Sequence, residues 1–340
     1  MTKKIVFGIA ILLVIAVIYY HDLIGYGLGQ AKGQFKVQWN AVPVEEVITN
    51  PVTPDTIRLK LGAVNEIRAF AFDSLGLRPS KNYTTYYDQH GKDILWVVTA
   101  CEPYRFKPIE WSFPIIGTFT YKGFFELDKA VQLAEGLKAK GYDVEVSSVT
   151  GWSTLGWFKD PVLSNMLEGS IGSMANTLIH ELTHGTIFVP DSMTFNENLA
   201  SFVGRMGGIR FLEMKYGVSS HDVIDYQNRL SDSEKFTRYM KEGASQLDSI
   251  YKSMEGQPED VLKEAKNKFI ASFITNIDTI KFIDPERYMK IVDSKRINNA
   301  RFISFLNYRE RQEEFALMLN QQFHGDLHNF IKYWQQQYPK

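Results

Sequence analysis

The apolar and polar positions of the chain change period along its length, and each change marks a different kind of element. Ile5–Tyr20 is an uninterrupted apolar run. Apolar residues such as Ile57, Leu61, Val64, Ile67 and Phe70 then recur at helical spacing. With the break at Asn50-Pro51 and the start signal Thr53-Pro54, the pattern predicts helices over about Gly27–Val47 and Pro54–Gly76. Between Tyr83 and Val149 the period becomes that of strands, at Tyr83–Tyr87, Ile94–Ala100, Phe113–Phe125 and Tyr142–Val149. A helix over Leu127–Lys140 interrupts them, with Asp128 near its start and Gly141 past its end. After Gly204 helical stripes dominate, as in Val261, Leu262, Ala265, Phe269, Phe273 and Ile277. The fold class expected is α+β, with a mixed sheet backing the helix that carries the chemistry described below.

The run Ile5–Tyr20, as a helix, covers about 24 Å, slightly short of the roughly 30 Å hydrocarbon core of a bilayer. Lys3 and Lys4 before it and Tyr19 and Tyr20 after it suit the two interfaces. The expectation is a single-pass inner-membrane anchor with a cytoplasmic N-terminus and the rest of the chain periplasmic, a cleaved signal peptide ending near Gly25 being the alternative. The domain plan is an anchor over 1–24, a helical stalk and platform over 25–79, a catalytic core over 80–215 and a helical C-terminal part over 216–340.

At 340 residues, with 44% hydrophobic and 14% aromatic content, the chain has the composition of a globular protein with a sizeable core. A formal charge of −1 gives no basis for binding nucleic acid. Cys101 is the single cysteine, which excludes an internal disulfide and a cysteine-based zinc site and leaves histidine and carboxylate as ligands.

Those ligand types occur together in Asn176–Gly204. His180 and His184 in the string His180-Glu181-Leu182-Thr183-His184 lie four apart, so on a helix both imidazoles face one ion. Glu181 stands beside the ion's open side, where it can take a proton from water. A catalytic zinc site keeps three protein ligands, and Glu197 in Asn196-Glu197-Asn198-Leu199-Ala200 is the natural third, on a second helix beginning near Phe195 and folding back antiparallel. The cofactor expected is one Zn2+. Tyr121, in an aromatic strand at the edge of the sheet, is the candidate donor to the developing oxyanion, against the alternative of a core tyrosine. Asn196 is a candidate for the substrate site or for capping the second helix, and Trp157 for lining the cleft or plugging a core gap. His324 and His328 are also four apart, but Gly325-Asp326 breaks the helix between them. Asn298-Asn299 can bind a peptide backbone or cap a helix.

The chain resembles the bacterial family of predicted zinc aminopeptidases through Gly25–Gln34, Phe113–Phe125, Ser153–Leu167, Leu178–His184, Phe195–Gly204 and Ile297–Phe302. The resemblance implies a gluzincin-like zincin fold with His180, His184 and Glu197 on zinc and Glu181 as base. The GxMEN strand with which better-known glutamate-type aminopeptidases hold the substrate amine is absent, and the spacing to Glu197 is shorter than theirs. The expected activity is a metallopeptidase, an aminopeptidase by resemblance, acting on peptides outside the cytoplasm and tethered to the bilayer through Ile5–Tyr20. The rivals are a non-catalytic peptide-binding scaffold and a zinc amidase acting on cell-wall fragments.

Overall fold

The computed structural model describes residues 7, 20–113, 117–149, 159–190, 192–289, 291–292, 297–306 and 311–338. Trp157 and, apart from Phe7 and Tyr20, the run Ile5–Tyr20 lie outside them. Among the described residues no helix is long and apolar enough to cross a membrane.

The chain begins with α1 (His21–Asn40), β1 (Val42–Pro43), α2 (Val44–Thr49) and α3 (Asp55–Asp73). The helix expected over Gly27–Val47 is thus two, because Pro43 lacks an amide and pushes Val42 out of the helical region. The strand region gives β2 (Thr85–Tyr87), β3 (Trp96–Cys101), β4 (Trp111–Phe113), β5 (Gly117–Phe119), β6 (Tyr121–Phe124), α4 (Leu127–Lys138), β7 (Asp143–Ser148) and β8 (Val162–Leu163). Next come α5 (Ile171–Thr186), which carries His180 to His184, and α6 (Met193–Tyr216), which carries Glu197. The remainder is helical: α7 (His221–Ser253), α8 (Glu259–Asn276), α9 (Pro285–Met289), α10 (Asn299–Leu306), α11 (Gln312–Phe323) and α12 (Leu327–Gln337).

The sheet differs from expectation. The mixed sheet is small, ordered β1-β2-β8, with β1 antiparallel and β8 parallel to β2. Its Tyr86, Tyr87, Val162 and Leu163 share one core with Leu178, Ile179 and Leu182 of α5. The longer strands form a separate antiparallel sheet, β6-β3-β7. Its residues alternate between faces: Val98, Ala100 and Val144 pack with Ala130, Ala134 and Leu137 of α4, and Cys101 packs with Ala300 and Ile303 of α10. Helices therefore take up both faces, and among the described residues this sheet meets the chemistry along its edge strand β6. Tyr121 pairs with Thr99, which sets it on the face opposite Val98 and Ala100, away from α4.

The HExxH helix is held mainly by helices. Leu61, Val64 and Ile67 of α3 are buried in the same core, and Lys60 Nζ donates to the carbonyls of Leu167 (2.6 Å) and Gly169 just before α5. Phe195 and Phe202 of α6 meet Trp334 at 5.1 Å and Phe330 at 5.3 Å, so α12 closes over the back of the Glu197 helix. A second core gathers Met240, Leu247, Phe273 and Phe302. Residues 216–340 thus contribute to two cores, and α3, in the segment expected as a platform, stands directly behind the HExxH helix.

Candidate metal centre

Ser170 caps α5 by accepting from the Ser173 amide at 3.3 Å. The helical period then puts Met174, Ala175, Leu178, Ile179 and Leu182 inward and leaves His180 and Glu181 half-buried at the rim of the core. At its end, Thr183 and Thr186 donate their hydroxyls back to Ile179 (2.7 Å) and Leu182 (2.8 Å), and the Arg78 amide donates to Thr186 Oγ1 at 3.0 Å.

The partner helix runs antiparallel and very close. A Cβ on Gly204 would lie 2.7 Å from the Asn176 carbonyl and 3.0 Å from His180 Cβ, and one on Gly208 would lie 3.2 Å from the Gly172 carbonyl. Only glycine admits such an approach, and it brings Glu197 to the histidines. His180 Nε2 and His184 Nε2 are 3.1 Å apart, His180 Nε2 is 3.5 Å from one Glu197 oxygen and His184 Nε2 is 3.4 Å from the other. Among the described residues this is the group of histidine and acidic side chains that can hold a metal ion. Its size fits one: ligand atoms about 2.0–2.1 Å from a tetrahedral centre are separated by about 3.3–3.4 Å. Two imidazole nitrogens and a carboxylate aimed at one point are most readily satisfied by a shared cation. Ser201 Oγ lies 3.5 Å from His180 Nδ1, on the side of the ring away from that point.

The electrostatics show the same convergence. Burial opposes charge on His180, but Glu197 and Glu181 outweigh it and raise its pKa. Burial likewise works against the Glu197 carboxylate, yet His180 and His184 hold it below its usual value. Glu181 is pushed up to about 7, by burial first, against His180 and with help from Glu197 and Asp160. Tyr121 is pushed up to about 12, by burial first and then by Glu197 and Glu181, which puts its hydroxyl within electrostatic reach of both carboxylates.

Of the residues named from sequence, His180, His184, Glu197, Glu181 and Tyr121 come together. Asn196 does not join them as a substrate ligand. It is buried, its Nδ2 donates to the Val189 carbonyl and its Oδ1 accepts from the Val189 amide, both at 2.8 Å. It is a clamp on the α5–α6 loop, and the residue before α6 in the cap position is Ser192. Asn298 and Asn299 are equally committed: Asn298 Nδ2 donates to Val144 O at 3.1 Å, and Asn299 bonds Glu102 O (2.9 Å) and the Tyr251 hydroxyl (3.0 Å). His324 caps α11 in the left-handed region, and His328 Nδ1 sits 3.2 Å from Ser74 O instead of facing it.

Two further residues at the site carry no signal in the sequence that points to it. Tyr83 has φ 61°, is fully buried, and has no hydrogen-bond partner for its hydroxyl among the described residues; burial, then Glu181 and Asp160, hold its pKa well above the usual value. Its amide donates to Asp160 O at 2.6 Å, and Asp160, only 2% exposed, also holds the Asn82 side chain. By sequence Asp160-Pro161 reads as a helix cap and first helical residue, but β8 follows it instead, and only the tertiary structure brings Asp160 beside Glu181.

A protein-family model with the description "Putative aminopeptidase" matches residues 25–338. No curated protein and no solved structure matches the chain.

Proposed function

The chain belongs to this aminopeptidase family, and from that premise we propose that it is a zinc-dependent metallopeptidase with a gluzincin-like centre, cleaving peptides from a free amino terminus at the extracytoplasmic face of a bacterial membrane. The observation that carries the metal is the triangle of His180, His184 and Glu197, with edges of 3.1, 3.4 and 3.5 Å. His180, His184 and Glu197 would hold the zinc, which when bound acts as a Lewis acid toward the scissile carbonyl and lowers the pKa of water toward about 7.

The chain's own residues do the rest. Glu181, next in sequence to His180 and raised toward neutrality, takes a proton from the attacking water and returns it to the leaving amine, as a base poised near working pH does best. Tyr121 keeps its proton and donates from the β6 side as negative charge builds on the carbonyl oxygen. The outer edge of β6 aligns an extended peptide only near Tyr121, since Gln30 Nε2 already occupies the Gly123 carbonyl at 2.8 Å. Membrane tethering is supported by Ile5–Tyr20 and the lysines that precede it.

The test compares a peptide bearing a free amino terminus, its acetylated twin and a cell-wall muropeptide, each with and without chelator. Release of the terminal residue from the free peptide alone, abolished by chelator and restored by zinc, is expected. Turnover that survives metal removal refutes the metallopeptidase reading, and cleavage confined to the muropeptide makes it an amidase. Glu181→Gln should keep its zinc and lose about 10²–10⁴-fold in kcat; undiminished turnover removes Glu181 as base and returns the site to a binding role.

A further inference from the structure

Helix α1 carries a second apolar face that nothing among the described residues covers, besides the inner one on which Val37 is buried. On its inner side Val37 is buried, Gln30 Nε2 donates to Gly123 O at 2.8 Å and Tyr26 stacks on Phe113 at 5.3 Å, while at the flank Gln38 Nε2 donates to Lys159 O at 2.8 Å. Gly33 presses so closely on Phe125 that a Cβ there would lie 2.1 Å from the ring. Four large apolar side chains point the other way: Leu28 is 66% exposed, Phe35 64%, Trp39 77% and Ile24 40%. Spaced by four and seven residues, they form one stripe, and Phe35 and Trp39 stack at 5.5 Å while both remain exposed. A helix on a water-facing surface is patterned the opposite way, apolar inward and polar outward.

We propose that this outward face lies on the lipid surface as an interfacial helix, an inference that rests on anchorage of the chain through Ile5–Tyr20. The helix starts at His21, directly after that apolar run, so its first turn is delivered to the membrane boundary. Tyr20 has φ −100° and ψ 15°, outside the regular helix, which allows the chain to change direction there. Lys32 and Lys36 are exposed beside the stripe, where their stems lie along it and their ammonium groups meet anionic phosphates. Tyr20 and Trp39 place amphipathic rings at its two ends, as the headgroup region favours. A second copy of the chain is a poorer occupant, because pairing this face with itself brings Lys32 and Lys36 toward their own copies with no acidic residue on the stripe to receive them. The inner side of α1 carries β6, so the arrangement sets the Tyr121 edge of the cleft about one helix diameter, roughly 10 Å, above the lipid.

Cys101 is fully buried and is the single cysteine, so Phe35→Cys in the full chain accepts an environment-sensitive fluorophore selectively. The labelled chain is reconstituted in phosphatidylcholine–phosphatidylglycerol vesicles with and without nitroxide-bearing lipid, beside a Lys140→Cys control on the exposed end of the α4 region. Blue-shifted emission quenched at least about threefold more strongly at 35 than at 140 is expected. A chain that sediments with the vesicles while the probe at 35 stays aqueous and unquenched overturns the interfacial helix and leaves the anchor standing. A chain left in the supernatant overturns the anchor and this proposal together. A blue shift that follows protein concentration and ignores the lipid quencher overturns it in favour of self-association.

Discussion

Gly204→Ala tests whether the ligand set depends on the closeness of two helices. The added Cβ would sit 2.7 Å from the Asn176 carbonyl oxygen, where ordinary contacts begin at 3.4 Å, so α5 and α6 must part by about 0.7 Å. Asn176 Oδ1, at 2.6 Å, can swing aside, but the backbone carbonyl cannot. Glu197 lies two turns along α6 from Gly204 on the same side, so the shift reaches its 3.4 and 3.5 Å separations from the histidines, which now lie close to the about 3.3–3.4 Å that a tetrahedral site spans, and widens them to about 4 Å. His180 and His184, on one helix, keep their 3.1 Å spacing. The expectation is a two-ligand remnant: overpacking costs about 1–3 kcal/mol of stability, and zinc affinity falls at least about tenfold. Competition with a chromogenic chelator measures the affinity and thermal unfolding of the metal-free protein measures the strain. Gly62→Ala is the control, because nothing lies within 4 Å of its Cβ and it sits inside α3, where alanine stabilises by about 0.5–1 kcal/mol. Wild-type zinc affinity in Gly204→Ala would show that the helix contact does not set the ligand geometry.

Glu197→Gln removes the carboxylate charge from the triad and should lower metal content measured by atomic absorption, whereas full occupancy would assign the third ligand elsewhere. Tyr121→Phe should lower kcat by about 10²–10³ with KM little changed, and an unchanged kcat would return Tyr121 to packing against Phe119. Tyr83→Phe should leave the melting temperature unchanged or slightly raised, because the hydroxyl it removes is buried without a partner among the described residues; a fall of several degrees would reveal a bond that the fold depends on. Asp232 is buried in α7, and although burial opposes its charge, the amides of Asp284 and Ile283 and the Lys235 ammonium hold its pKa below the usual aspartate value. Its stabilising effect is therefore complete above the unfolded pKa of about 3.9 and is lost as pH falls through the lower folded value. Asp232→Asn should destabilise by about 1–3 kcal/mol at pH 7 and by progressively less in acid, read from urea titrations across pH; a pH-independent difference would refute the assignment.

The centre is the part of this protein most legible from its residues alone. Four-residue spacing on a helix places His180 beside His184 whatever surrounds them, and the turn before α6 returns Glu197 within reach, so both follow from local geometry and from the bias of the intervening residues. The strand region was equally visible as alternation, but its division into a mixed sheet behind α5 and an antiparallel sheet covered by α4 and α10 was not. Alternation shows that a strand has two faces and is silent on which helix covers each. The same gap explains Asn196, whose carboxamide suits a cap, a substrate or a loop clamp until the Val189 backbone is beside it. It explains Tyr83 and Asp160, which come together only when β8 is laid parallel to β2. A helix over Gly27–Val47 was legible, but which way its side chains face was decided by Gly33 against Phe125 and Gln30 against Gly123. Periodicity identifies a stripe from neighbours a turn apart, whereas the direction a stripe faces is set by partners some ninety positions away, which only the folded chain brings into contact.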